Sequence, residues 1–495
     1  MSHATLGRLR ALVLSIAAIA VAMIGLGSAA NAASPALPDG SQTGSIIVHK
    51  YKQPVSPTNL PHDGSAVDPT LLAGLSPLAN VGFTVQQVQG IDLTTNTGWS
   101  NASALSSSYN PANAQGSITA AGYTLGAATT QNTDGTGTAT FGSLPVGLYL
   151  VTESAPPAGA TPSAPFLVSV PLTDPSAHDH WLYNVNVYPK NGINAVTKTV
   201  SDASAVKLGD PIAWTILGDI PDVATIDGYK ITDQLDPKLD FVSAVVTLSD
   251  NSVSLVAGTD YTLTTTGNLV SVQFTAAGRA KLAAHSSAQV KVVVNTKVNA
   301  IGEIANTAVL YPNAGSFTVT PGQPGGPVET PPVVTKWGNV TVLKTDQSGT
   351  ALTGAAFKVY TSQADAEAGT NAVDLGTPNQ EFVVGANGQV TISGLRYSDW
   401  ANGAAVASGD PNYRTYYLVE TKAPAGYELQ ADAIPFTVTA ASTTVGVDVT
   451  VKDVPANAGF QLPFTGGHGL RNYYIAGAFL IALALLLTVR RRQTD

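Results

Sequence analysis

Two lysines and two glutamates recur at matching places in a chain that otherwise carries few charges. Gly44-Ser45-Ile46-Ile47-Val48-His49-Lys50 matches Gly338-Asn339-Val340-Thr341-Val342-Leu343-Lys344 in length and in its final lysine. Further on, the segment 149–159 matches 416–426 at Tyr149 and Tyr416, Glu153 and Glu420, and again at Pro, Ala and Gly. Burial disfavours the charged form of either group, so a buried lysine is neutral and a buried carboxylic acid is protonated. Beside an asparagine amide such a pair can make a new amide: the acid polarises the carbonyl and shuttles protons while the amine attacks and ammonia leaves. Lysines and carboxylates are ordinarily solvated surface charges, and recurrence inside a repeat is what sets Lys50 with Glu153 and Lys344 with Glu420 apart.

Other chemistry is poorly represented. His178-Asp179-His180 suggests a metal, but seven histidines, no cysteine and no His-Glu-x-x-His pattern make a solvated turn the simpler reading, so neither metal nor cofactor is expected. No nucleophile elbow, phosphate loop or paired-carboxylate pattern stands out, and the chain is not expected to be an enzyme. With 12% charged residues and a net charge of -9, nucleic acid and anionic membrane surfaces are poor partners. Without cysteine, disulfides cannot staple the chain.

The elements that must carry these residues read as strands. Alternating stretches at 45–50, 289–294 and 446–451 are separated by Asn-Gly, Asp-Gly and proline turns, and no long helical period appears outside the termini. The fold class is therefore all-β, built of tandem β-sandwiches. The repeat makes the first and last domains alike, since each Glu-containing segment is followed by another strand, Ala164-Pro165-Phe166-Leu167-Val168 or Ile434-Pro435-Phe436-Thr437-Val438. Between them lies a segment of different pattern, which makes three domains: 33–192, 193–320 and 337–460. The proline- and glycine-rich run 321–336 reads as a linker. An insertion at 92–136, rich in Ser, Asn, Thr, Ala and Gly, reads as surface decoration rather than as a recognition loop.

Both ends carry export signals. Arg8 and Arg10, an apolar run at 11–26 and Ala30-Asn31-Ala32 form a secretory signal helix over 1–32, with cleavage after Ala32. At the other end, 462–495 runs from Leu462-Pro463-Phe464-Thr465-Gly466 through an apolar stretch at 473–489 to Arg490, Arg491 and Arg492. A transmembrane helix at 473–489, rising about 1.5 Å per residue, just spans hydrocarbon with its arginines on the cytoplasmic side. The pentapeptide, tail and basic tip resemble the LPXTG sorting signal of sortase substrates. Tyr188-Pro189-Lys190-Asn191 resembles the pilin motif, and 416–426 the E-box, of the major shaft pilins of sortase-assembled Gram-positive pili.

That resemblance implies a set of roles. The domains would be immunoglobulin-like sandwiches of CnaA and CnaB type that form internal isopeptide bonds. A pilin-specific sortase would cleave between Thr465 and Gly466, hold the Thr465 acyl group, and pass it to Lys190 of the next subunit. A housekeeping sortase and a peptidoglycan precursor would fix the fibre to the wall after transient membrane insertion of the C-terminal helix, with identical subunits and tip and basal minor pilins as partners. Within the chain, Lys50, Glu153 and Asn191 would be lysine, acid and acceptor of the first domain, and Lys198, Asp233 and Asn306 those of the second. The third has Lys344 and Glu420, but Val451-Lys452-Asp453 stands where the family has asparagine. Either Asp453, the preferred reading, accepts the lysine with loss of water, or Asn457 substitutes, or no bond forms. The leading function is a major pilin supporting adhesion, with a monomeric wall-anchored adhesin as the alternative; no receptor or glycan can be named.

Overall fold

A computed structural model of the chain describes residues 37–457 except 55–57, 59, 177, 379 and 445, together with 477–478 and 480–482. The expected signal at 1–32, the pentapeptide Leu462 to Gly466 and most of the span 473–489 lie outside the described residues. No helix among the described residues is long and apolar enough to cross a membrane.

The described residues are mostly β, with 42% strand and 12% helix. It divides into two compact units, one running through Ala205 and holding Gly209–Thr335 and Ala401–Ala404, the other holding Val206–Leu208, Lys336–Trp400 and the described residues from Ala405 on. The first and middle sandwiches thus share a unit and the third stands in the other.

In the first sandwich the strands that matter are β1 (Thr43–His49), β2 (Gly82–Gln89), β3 (Thr138–Pro145), β4 (Gly147–Ala155), β5 (Phe166–Val170), β6 (Asn184–Val187) and β7 (Lys190–Ile193). β1 pairs antiparallel with β3 and parallel with β6, and β4 pairs antiparallel with β2 and β5. Side chains alternate across each strand, so Ile46 and Val48 of one sheet face Phe83, Val85, Tyr149 and Val151 of the other in one core. Lys50 and Glu153 continue the inward rows that begin with Ile46, Val48 and with Tyr149, Val151.

The middle sandwich sets β8 (Val196–Ser201), β9 (Pro211–Asp219), β11 (Leu239–Leu248) and β13 (Gln289–Val298) in one sheet. The other holds β10 (Lys230–Gln234), β12 (Leu269–Phe274) and β14 (Ala308–Tyr311). Along β8, Val196, Lys198 and Val200 are buried while Thr197, Thr199 and Ser201 are exposed. A lysine therefore occupies a core position of a strictly alternating strand.

The third sandwich repeats the first. β15 (Val333–Asp346) pairs antiparallel with β17 (Gln389–Arg396) and parallel with β20 (Val449–Asp453), and β16 (Ala356–Tyr360) and β19 (Ile434–Phe436) flank β18 (Tyr416–Lys422). Parallel pairing of the first strand with the last brings their C-terminal ends together, Lys344 opposite Val451 and Asp453 two residues further on. An antiparallel pair would have set them at opposite ends of the sheet.

The structure adds to two sequence expectations. The stretch 321–336 is tied down rather than free: Val328–Glu329 pairs with β14, Gly325 N–H donates to Pro156 O at 2.7 Å, and Gly159 N–H to Gly326 O at 2.9 Å. Helices also stand in the insertion, at Asn96–Ser108 and Ala114–Ala120. The longer is capped by Thr95, whose hydroxyl accepts from Gly98 N–H at 3.0 Å, and it buries only Gly98, Ala102 and Leu105. A stripe in which Leu105 is the one large residue fully buried escapes a search for large apolar residues at helical spacing. It packs with Ile91, Leu93 and Ile118 on the β4 face that presents Leu148 and Leu150.

The contact at Gly98 is tight enough to test. A Cβ there would stand 1.7 Å from the Asp92 carbonyl oxygen. Gly98→Ala should therefore cost about 1–3 kcal/mol locally and speed protease cleavage within 92–136 while the other sandwiches keep wild-type resistance; unchanged cleavage would mean the helix start has slack.

Candidate functional site

Each sandwich buries one lysine amine against a carboxylate, and the three sites differ in what else meets the pair. In the first, Lys50 Nζ lies 2.8 Å from Glu153 Oε2 and donates to Asn191 Oδ1 at 2.5 Å. Asn191 Nδ2 in turn donates to Glu153 Oε1 at 2.5 Å, and the Phe83 ring centroid stands 5.5 Å from the amine. All three side chains are buried. Asn191 arrives from β7, which runs parallel to Tyr51–Lys52 with Asn191 opposite Lys52. Burial pulls the Lys50 amine down to about 8 from 10.5, the Glu153 charge opposing that pull.

In the second, Lys198 Nζ stands 2.7 Å from Asp233 Oδ2, across the two sheets, under the Trp214 ring at 5.3 Å. Burial brings this amine to about 8 as well and pushes the Asp233 carboxyl up. With amine and acid moved toward one another, the neutral amine and neutral acid become accessible from the ion pair by one internal proton transfer. Asn306 Nδ2 reaches Asp233 Oδ2 at 3.5 Å, while the amine donates to Thr307 O at 3.3 Å. Asn306 Oδ1 is buried without a hydrogen-bond partner among the described residues.

In the third, Lys344 Nζ lies 2.8 Å from Glu420 Oε1 and contacts Asp453 Oδ1, with the Phe357 ring 5.6 Å away. Burial raises the Glu420 carboxyl, and the Asp453 charge pushes the same way. Asn457 is exposed at φ 63°, its backbone N–H donating to Glu428 Oε1 at 2.9 Å. The structure brings Asp453, not Asn457, to the lysine.

Lys190 sits half-buried at the start of β7, next to Asn191 and opposite Tyr51. Desolvation lowers its amine as well. Tyr188 fixes this corner, accepting from Val67 N–H at 2.8 Å and stacking on His49 at 4.7 Å. Thr465 lies outside the described residues. The His178-Asp179-His180 segment forms an exposed turn in which Asp174, Asp179 and His180 converge within 4.8 Å.

Residues that the sequence reading passed over are the ring beside each lysine, Phe83, Trp214 and Phe357, and Ser163, which donates to Glu153. The rings carry a sequence signal only in hindsight, as aromatic residues at inward strand positions.

Comparison with known proteins follows the same division. Family models match residues 41–192 (Gram-positive pilin subunit D1, N-terminal domain), 194–312 (Sgo0707 N2 domain), 338–453 (prealbumin-like fold domain) and 454–495 (LPXTG cell wall anchor motif). The fimbrial subunit type 1 of Actinomyces viscosus is 36% identical, with 94% of each chain covered. Among solved structures, the full-length major pilin SpaD of Corynebacterium diphtheriae is 27% identical with a TM-score of 0.63, covering 85% of this chain and 99% of its own. The major pilin SpaA of the same organism, described as a modular assembly with stabilising isopeptide bonds, is 25% identical with a TM-score of 0.58, covering 83% and 99%.

The lowered lysines set a pH dependence. In the double variant Asn191→Ala, Asn306→Ala, both Lys50 and Lys198 remain amines. Because each loses its proton near 8 in the native state and near 10.5 when unfolded, the unfolded state binds more protons between those values, and stability rises with pH across that window. The denaturant midpoint should climb from pH 8 to 10; a flat or falling midpoint would show that burial does not hold these amines down.

Proposed function

The chain belongs to the family of major pilins, the fimbrial subunits of Gram-positive cell-wall-anchored pili, and on that premise we propose that it polymerises through Lys190 and Thr465 while internal lysine amides lock its sandwiches. The pilus is extracellular and anchored to the cell wall. A pilin-specific sortase would take the Thr465 acyl group with release of Gly466 and the tail, and the Lys190 amine of the next subunit would resolve the acyl-enzyme. A housekeeping sortase would pass the last subunit to peptidoglycan.

The observation that carries the internal part is the threefold burial of a lysine against an acid, with an asparagine or a second carboxyl from the domain's closing part beside it. Lys50 would join Asn191 and Lys198 join Asn306, each releasing ammonia, and Lys344 would join Asp453, releasing water. The isopeptide bonds ascribed to SpaA support this reading. So does the energetics: a charged lysine buried for stability alone is a poor choice, since a well-packed apolar residue is often as good or better.

Adjacency of Lys190 and Asn191 gives the bonds distinct mechanical roles. Load entering at Lys190 and leaving at Thr465 would run along the backbone past Asn191, then across Lys198–Asn306 and Lys344–Asp453. The middle and third sandwiches would be bypassed by covalent bonds, instead of being pulled through strand hydrogen bonds of about 1 kcal/mol net each. The first sandwich hangs beside that path, and its bond would keep β7 from being drawn out of it.

Two measurements test the proposal. The intact mass of the purified ectodomain should fall short of its sequence by two ammonias and one water, with Glu153→Ala restoring one ammonia; a full unmodified mass would reject the internal bonds. Lys190→Ala should remove the high-molecular-weight ladder from detergent-boiled wall extracts and leave anchored monomer, whereas a persisting ladder would assign polymerisation to another lysine. A monomeric wall-anchored adhesin would show no ladder even with Lys190 intact.

A further inference from the structure

The two oxygens of Glu153 are held unequally. Oε2 accepts from Ser163 N–H at 2.9 Å and from the Ser163 hydroxyl at 2.7 Å, with Lys50 Nζ at 2.8 Å. Among the described residues, Oε1 receives only Asn191 Nδ2. The Ser163 hydroxyl oxygen also lies 3.4 Å from Lys50 Nζ, so it touches both members of the pair. In the third sandwich the residue ten positions beyond the acid is Gln430, whose backbone N–H donates to Glu420 Oε2 at 2.8 Å, while Lys344 stands at the other oxygen. The backbone donor is thus common to both sandwiches, and the hydroxyl is particular to the first.

We infer that Ser163 is a positioning residue for the Lys50–Asn191 bond, holding Glu153 Oε2 as an acceptor so that the acid's proton stands on Oε1 against the Asn191 amide. This rests on the internal amide proposed above. In that step Lys50 Nζ bonds to Asn191 Cγ and the Cγ–Nδ2 bond breaks. Oε2 takes the proton the amine gives up, Oε1 delivers its own to the departing Nδ2, ammonia leaves, and the carboxyl ends neutral as it began. Before the reaction, while the Lys50 amine and both Ser163 groups donate to it, Oε2 is a poor seat for the acid's proton, which leaves Oε1, the side from which the leaving group must be protonated; once the attacking nitrogen hands over its proton, one of those three donors is gone and Oε2 can hold it. Without the hydroxyl, one of three fixed donors is lost and the proton divides between the two oxygens.

The test follows bond formation in freshly made chains. Ectodomain produced by cell-free synthesis in a short pulse is chased, and the branched peptides at Lys50–Asn191 and Lys344–Asp453 are measured by mass spectrometry over time. Ser163→Ala should slow the first bond about fivefold, the loss of one hydrogen bond of about 1 kcal/mol to a neutral acid. Ser163→Thr should restore it, and the third-domain bond should form at an unchanged rate in the same molecules. Equal rates in Ser163→Ala and wild type, or a threonine variant as slow as the alanine one, would overturn the positioning role. Slowing of both bonds together would mark a folding defect and overturn it too. If wild type itself yields no Lys50–Asn191 peptide, the internal amide fails and this inference with it.

Discussion

Placing a lysine amine inside a β-sandwich is the constraint around which each domain is arranged. A buried unpaired ammonium is prohibitively unfavourable, and even a paired one seldom improves on a hydrophobic residue of similar size. Every neighbour of Lys50, Lys198 and Lys344 answers to that problem. An acid from the facing sheet lies within 2.8 Å, and an aromatic ring closes the apolar side. In the first and third sandwiches, parallel pairing along the first strand brings the chain's closing segment, with Asn191 or Asp453, to the same spot. An amide bond would remove the difficulty altogether, by turning the amine into a neutral group.

Much of this was legible in the sequence because strands write their faces at every second residue. Ile46-x-Val48-x-Lys50, Val340-x-Val342-x-Lys344, Tyr149-x-Val151-x-Glu153 and Tyr416-x-Leu418-x-Glu420 each place a charge where the alternation demands an apolar side chain. The repeat identified those residues without any fold. Asp233 and Asn306 carry no such internal echo and follow from family resemblance alone; the structure sets Asp233 against Lys198 and lets Asn306 donate to Asp233.

What the sequence hid was of another physical kind. The helix Asn96–Ser108 buries Gly98, Ala102 and a single leucine, Leu105, and is stabilised by its cap and by packing on Leu148 and Leu150, so no large apolar stripe announces it. The run 321–336 has a linker's composition, yet its backbone groups find partners in Pro156, Gly159 and β14. Ser163 lies in an irregular segment between strands, where only the folded chain shows that both its donors turn toward one carboxylate oxygen.

If covalent bonds from buried lysines carry the load through the middle and third sandwiches, stretching a single ectodomain between Lys190 and its C-terminal end reveals it directly. Extension should stop once the segments outside the bridges 198–306 and 344–453 are taut, with no later lengthening before the handles fail. Stepwise gains from unravelling sandwiches, roughly 370 Å for the 109 residues from Lys344 to Asp453 at about 3.4 Å each, would contradict it.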